Sequence, residues 1–572
     1  MRKPLMTSSP FVTRREAVKT IAAAPVLLAQ LGVSSRAATV EPAAGAKGST
    51  LPGDRFDFLI AGAGHNSLTC GAYLAKAGFR VLVLEGQQVI GGGCKTQEVL
   101  LPGFKEDLCS SCHTLILVNP LAIHNELDLD QYGYELLHPD VVVHFPFLDG
   151  ASLSVFRHDI ERTARSIARI SKKDAATFRQ VAAARGGAEV FESDAGWQAP
   201  FAPANPRLTA YFGRLREMAG HTAALEVWES RHMRAATVSA GKWFGPLGSD
   251  YGTGLQAFRL LDFVKGRPIP RGGSGMLTQA LGRLIEAHHG VILTGKPVVR
   301  LIIEDGKCRG VECADGSRYR AEKGVVSTIH VKHLIQMAPR ELFGSLVLDG
   351  VDMMTPEPAS FQFHFAFSEA PRYRLAGGGT ITSNEASIME DPSSIFWTAI
   401  DHVKGELHLD DLPLQVCHPS TFDSSRVPAG FGLVKIEGNM PYALKEGPQH
   451  WDEIKDQVAD QVVTRYLRYT ANLDRSKLLA KFLLSPIDIE RMNPHMWRGG
   501  VHAFDNTGGN FAPYRLGIPG LYQTGACTAP GGSISGIPGR NTAQAVLQDQ
   551  GLKIEAVIGA RPPDSPHKPQ LV

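Results

Sequence analysis

What the chain lacks narrows its chemistry before any motif is read. Basic and acidic residues nearly cancel, 59 Lys and Arg against 57 Asp and Glu, so there is no electrostatic footprint for nucleic acid. Eight cysteines in 572 residues are too sparse for a disulfide framework. No Ser-His-Asp pattern, no HExxH and no metal-spaced His/Cys cluster is evident, so triad hydrolysis and a protein-held metal are not expected. Beyond the N-terminal segment, no apolar run reaches the length of a conventional transmembrane helix. The length exceeds what one hydrophobic core holds, and two closely packed domains are expected.

What the chain has is concentrated in residues 56–86, FDFLIAGAGHNSLTCGAYLAKAGFRVLVLEG. The apolar run Phe56, Phe58, Leu59 and Ile60 fits a parallel strand buried on both faces. Gly62 and Gly64 follow, then a predicted helix over 66–77 closed by Gly78, then a strand at 81–84 ending in Glu85. This is a βαβ nucleotide-binding unit. Gly62 permits a tight turn, Gly64 permits close approach of a pyrophosphate, and the helix N-terminus offers free N–H groups to phosphate. Ser67 stands where a third glycine is usual; that position serves helix–strand packing, and serine is small enough. His65 and Asn66 lie in the turn and are assigned to cofactor contact. Glu85, about twenty residues on, is placed to accept hydrogen bonds from a ribose.

A second glycine cluster, VIGGGCKT at 89–96, follows the acid-bearing strand directly. With EVLLPGFKEDLCSSCHTLILVNP at 98–120 and GLYQTGACTAPGGSISGIPGRNTAQAVLQDQG at 520–551, the chain resembles the phytoene desaturase-like FAD-dependent oxidoreductases of the amine oxidase superfamily. The branch includes carotenoid desaturases, desaturase-type carotene ketolases and the pyridine nucleotide-disulfide oxidoreductase domain-containing proteins 2. The resemblance runs from about residue 55 to the end. It implies non-covalently bound FAD, contacted also by Gly91, Gly92, Gly93, Thr96, Val298, Gly525, Ala526, Gly536, Ile537 and Asn541. It implies an α/β fold as well: a Rossmann-like FAD-binding domain with a parallel sheet, beside an α+β substrate domain with an antiparallel sheet and a helical cover. The FAD-binding domain is expected from 55–127, 268–337 and 490–572, and the substrate domain from 128–267 and 338–489.

The first 37 residues read as a twin-arginine-type export signal, with Arg14 and Arg15, a mild apolar run and then Ser35-Arg36-Ala37. Residues 38–54 read as a linker. Export to a periplasmic or other extracytoplasmic space is therefore expected. CSSCH at 109–113 matches the attachment signature of a c-type haem or a redox dithiol, but it lies inside the flavin-domain pattern and reads as packing. Strict alternation in FQFHFAF at 361–367 argues an antiparallel strand, whose phenylalanines either line a substrate chamber or pack between layers; packing is the reading taken.

A flavin leaves the protein to supply binding, orientation and electrostatics. His113 and His502 are the candidate catalytic residues, with His495 a further histidine near the flavin segments. The expected function is oxidation or dehydrogenation of an apolar or amphipathic small organic substrate by hydride transfer to FAD. The alternative is a flavin-binding regulatory or interaction protein with vestigial catalysis. No second GxGxxG in strand and helix context appears, so oxygen or a quinone is the expected acceptor rather than NAD(P)H. Peripheral contact with a membrane is compatible with the resemblance.

Overall fold

Two seven-stranded sheets organise the chain in the computed structural model, which describes residues 55–184, 206–241, 247–501 and 512–559. The first sheet has a parallel core. Strand Phe56–Ala61 lies between Val81–Leu84 and the C-terminal half of Arg318–Ser327, with Val291–Leu293 and Leu521–Gln523 at the two sides. Three separated stretches of chain thus meet in one sheet. The strands Val298–Glu304 and Lys307–Cys313 extend it antiparallel from the N-terminal half of Arg318–Ser327.

The local causes are plain. Phe58, Leu59, Ile60 and Val81 to Leu84 are all buried, because helices cover both faces of a parallel sheet. Helix His65–Lys76 packs between helices Gly275–Ala287 and Ile537–Asp549. Gly539 permits the second contact, since a Cβ there would stand 2.1 Å from the Asn66 carbonyl oxygen. Helix Ile537–Asp549 carries Pro538 in its first turn, where a missing N–H costs nothing.

The second sheet runs in the order Leu478–Leu484, Ser360–Phe367, Gly432–Asn439, Leu414–Cys417, Glu385–Ile388, Val141–Pro146, Ser152–Phe156. All neighbours are antiparallel except Glu385–Ile388 with Val141–Pro146. Its two faces differ in kind. Phe361, Phe363, Phe365 and Phe367 join Ala386, Ile388, Leu414, Val416, Val434 and Ile436 in one apolar cluster. Helix Trp451–Leu467 covers them with Trp451, Val458, Val462 and Tyr466. The four phenylalanines therefore pack under a helix and do not line a chamber. A second cluster joins Val142, Phe145, Leu153 and Val155 to the helices Ile160–Ala168 and Arg231–Gly241, which form the helical cover.

Period two then dictates what the other face carries: Gln362 and His364, Lys435 and Glu437, Gln415 and Cys417, Glu385 and Ser387. A half-exposed antiparallel sheet would show such residues to water. Here all eight are buried.

Candidate active site

A cavity of about 320 Å³, within the range of small-molecule sites, lies between the glycine turns of the first sheet and the polar face of the second. Of the residues assigned to the cofactor from sequence, Gly62, Gly64, His65, Asn66, Glu85, Gly91, Gly92, Gly93, Val298, Gly525 and Ala526 line it. Glu85 is set by its own strand end: Oε2 accepts from Ala63 N at 2.7 Å and Oε1 from Gln87 N at 2.8 Å. Each oxygen keeps a lone pair for a further donor. Gly91 has φ +122°, where an added Cβ would also stand 2.4 Å from the Cys94 carbonyl oxygen, and its N–H donates to Ala63 O. The second glycine cluster is thereby held against the first.

Five assigned residues stand elsewhere. Ser67 is buried behind the turn, its hydroxyl donating to Gly62 O and Gly64 O, so it shapes the turn from inside. Thr96 donates to Asp107 Oδ1 at 2.6 Å. Gly536 lies against Asn119 and Thr69, Ile537 begins helix Ile537–Asp549, and Asn541 donates to the Tyr514 hydroxyl at 2.9 Å. The cavity is lined instead by Gly532, Ser533 and Ile534, just before that helix.

The histidines sort themselves by burial. His113 is fully buried outside the cavity lining, with its ring nitrogens on the Tyr134 hydroxyl at 2.8 Å and the Ser274 hydroxyl at 2.7 Å. Burial pushes it down to about 3, which keeps it neutral. With both nitrogens engaged it reaches no substrate, and its role is packing. His65 lines the cavity, bonded to Ser533 O, and burial takes it down to about 4. His495 lines it too and stands at about 4, through burial and the neighbouring His333. Neither is cationic at neutral pH. His502 lies outside the described residues.

The opposite wall is not legible as a site from the sequence. Gln362, Gln415, Cys417 and Glu437 line the cavity from the polar sheet face, with Arg267 and Cys112 beside them. Cross-strand register assembles them: Gln362 pairs with Glu437, Glu437 with Gln415, and Cys417 with both Lys435 and Glu385. Buried charges require partners, and they have them. Arg267 Nε donates to Glu385 Oε1 at 2.7 Å, and Gln415 Nε2 donates to Glu385 Oε2 at 2.7 Å. Lys435 Nζ is 2.9 Å from Glu437 Oε2 and donates to the Cys109 carbonyl. Burial pulls the Lys435 ammonium down, but its neighbours together, the Glu437 carboxylate first among them, more than offset it and hold the group above its ordinary range. Not every polar atom of this face has a hydrogen-bond partner. Gln362 Nε2 donates to Ser360 Oγ, but its Oε1 is buried without a hydrogen bond. The alternation of polar and apolar residues is the available signal for this wall, but alternation alone names water as the default neighbour.

The residues present fit a dinucleotide. Gly64 has φ −72°, ordinary for any residue, and an added Cβ would meet nothing closer than Ser67 Oγ at 4.0 Å. Neither strain nor packing requires glycine there, and the space a Cβ would take is that of the cavity Gly64 lines. Helix His65–Lys76 has no side-chain cap, so its first N–H groups are free for phosphate. Asn66 Oδ1 is buried without a partner. Lys95, 6% exposed, lines the same cavity with no ion-pair partner among the described residues, as befits a pyrophosphate-bearing ligand. What a bound FAD supplies is two-electron oxidation by hydride uptake. The chain offers such a group the glycine cradle and the Glu85 carboxylate, with a buried polar wall across the same cavity.

Comparison with known proteins agrees with this geometry. The chain is 27% identical to a limonene dehydrogenase component of Castellaniella defragrans, over 88% of this chain and 98% of that protein. It is 25% identical to rat (Rattus norvegicus) pyridine nucleotide-disulfide oxidoreductase domain-containing protein 2, over 88% and 95%. Among solved structures, an oxidoreductase from Methanosarcina mazei shares the fold with a TM-score of 0.55 at 14% identity, covering 86% of this chain and 99% of that one. The family described as flavin containing amine oxidoreductase matches residues 68–398, more than half of the 572, and the chain belongs to that family of FAD-dependent oxidoreductases.

Proposed function

We propose that this FAD-dependent oxidoreductase dehydrogenates a small amphipathic organic substrate whose polar end rests on the sheet face carrying Gln362, Gln415 and Glu437. The carrying observation is that face itself: it is buried, polar and lines the cavity opposite the glycine turns. Gln362 Oε1 awaits a donor, and a hydroxyl or amino group on the substrate provides one. A purely hydrocarbon ligand would leave Gln362 Oε1 without a donor, at a cost of about 1–3 kcal/mol. The relatives named for limonene and carotenoid substrates support dehydrogenation as the reaction class. The neutral His65 and His495 hold hydrogen bonds and carry no charge into the site. FAD is bound non-covalently in this reading, and oxygen or a quinone reoxidises it. Acid precipitation should release free FAD, and anaerobic mixing should bleach the flavin with amphipathic alcohols or amines but not with NADPH. Rapid, saturable bleaching by NADPH would overturn the acceptor assignment, and flavin retained on the acid-precipitated chain would overturn non-covalent binding.

Export belongs to the same proposal. Arg14 and Arg15 lie outside the described residues, and the reading rests on their sequence context. No helix among the described residues is long and apolar enough to cross a membrane. Replacing both arginines by lysine should leave the protein in the cytoplasmic fraction of its host, and unchanged fractionation would reject the signal.

A further inference from the structure

Arg267 carries a hydrogen-bonding fork that the fold leaves half used. It lines the cavity and is 8% exposed, while its counterion Glu385, on strand Glu385–Ile388, is buried behind it. Nε donates to Glu385 Oε1 at 2.7 Å. That oxygen also accepts from the Cys112 thiol at 2.6 Å, and Oε2 is turned to Gln415 Nε2 at 2.7 Å. The guanidinium carbon lies 4.9 Å from the centre of the Phe263 ring, so one face of the plane is covered. Nη1 and Nη2 have no hydrogen bond to any described residue. Arginine stays charged and donates in its plane, so a fork held at one edge presents the other to a planar anion. A second observation points to the same kind of ligand. The hydroxyls of Ser111 and Thr114 are buried without a hydrogen-bond partner, both residues line the cavity, and Ser111 is only 5% exposed. They belong to the chain beside Arg267, since His113 N donates to Pro268 O at 2.9 Å and Cys112 shares Glu385 with the guanidinium. Glu437, the acid on the same wall, is offset by Lys435 Nζ at 2.9 Å.

We propose that the substrate carries a carboxylate, bound by Nη1 and Nη2 of Arg267, in addition to the hydroxyl or amino group that donates to Gln362 Oε1. This rests on the reading that substrate lies along the polar wall. Gln362 and Gln415 each pair with Glu437, so they stand two strand spacings apart, about 10 Å. Gln415 leans away from Gln362, toward Glu385 on the next strand, and Arg267 meets the same carboxylate there. The two polar groups of the substrate are therefore separated by several carbons. The class is an ω-hydroxy or ω-amino carboxylate, not its α-isomer.

The test is calorimetric titration of the oxidised, FAD-loaded protein at neutral pH, a binding readout that needs no turnover. Hexanoate should bind about tenfold more tightly than hexanamide, its neutral counterpart, as a charge-assisted hydrogen bond outweighs a neutral one. Arg267→Gln combined with Glu385→Gln removes the ion pair whole and leaves neither charge buried alone, and this variant should bind the two alike. Equal binding of hexanoate and hexanamide by the wild type would overturn the proposal without recourse to any variant. A preference for hexanoate that survives in the double variant would overturn it too, placing the carboxylate on another cation, Lys95 foremost. 6-Hydroxyhexanoate should bind more tightly than hexanoate and than 2-hydroxyhexanoate, and the reverse order of the two hydroxy acids would overturn the spacing. Should 6-hydroxyhexanoate bind no better than hexanoate while hexanoate keeps its preference over hexanamide, the Gln362 reading fails and the carboxylate site at Arg267 stands.

Discussion

Gly64→Val should yield a folded, colourless protein. The argument separates what the chain needs from what the ligand needs. At most turn glycines the two coincide: Gly91 has a backbone that L side chains rarely adopt and a carbonyl oxygen in the way of any Cβ, so substitution there damages fold and site together. Gly64 has neither constraint, and its backbone is already extended. Valine there fills the space beside the helix N-terminus that a pyrophosphate would occupy, and costs the apoprotein little. The expected outcome is loss of the flavin absorbance ratio on purification with an unfolding midpoint equal to that of wild-type protein stripped of FAD. Full flavin occupancy in the variant would place the cofactor elsewhere, and a collapsed midpoint would mean Gly64 is structural.

Glu385→Leu should destabilise the protein by about 3–5 kcal/mol, the usual result of stripping one partner from a buried ion pair. Arg267 would remain in the cavity wall with its counterion gone, and Gln415 and Cys112 would each lose an acceptor. Arginine cannot shed its proton, so the deficit should be flat between about pH 6 and 9. The neighbouring pair gives a contrast with a definite sign. In Glu437→Leu the pull of burial on Lys435 is unopposed by its main partner, so its folded pKa falls below the unfolded value. Between those two values the unfolded chain binds more protons, and stability rises with pH. The Glu437→Leu deficit should therefore shrink as pH is raised toward about 10, the range of an unfolded lysine, while the Glu385→Leu deficit does not. Urea unfolding at a series of pH values checks both. A pH-independent Glu437→Leu deficit would mean that Lys435 finds another anion.

The flavin half of the fold is readable because its determinants are contiguous. Strand, turn, helix and strand occupy residues 56–84 with the period of each element intact, and the glycines that bend the chain sit between them. The polar wall is unreadable for the opposite reason. Gln362, Gln415 and Glu437 each sit in a strand whose alternate residues are apolar, and each alone looks like a solvated position. Only the register of three strands, drawn from residues 360 to 439, puts them side by side, and only the first sheet's approach removes water from them. His113 misleads on similar grounds. Its neighbours Tyr134 and Ser274 come from 21 and 161 residues away, and nothing local announces that they occupy both ring nitrogens. Cys112 follows the same rule: its thiol donates to Glu385, 273 residues away, and nothing near it in sequence announces that acceptor.

The central claim is that substrate lies between the glycine cradle and the polar sheet face, with its polar end on the latter. Anaerobic flavin bleaching measures this directly when an amphipathic alcohol or amine and a hydrocarbon of the same frame are titrated against wild type and Gln362→Leu. The account predicts that the polar donor bleaches wild-type flavin, and that Gln362→Leu weakens its apparent binding about tenfold, the equivalent of one hydrogen bond of about 1.4 kcal/mol. The hydrocarbon should be inert with both proteins. Bleaching by the hydrocarbon, or a polar donor that binds both proteins equally, would contradict it.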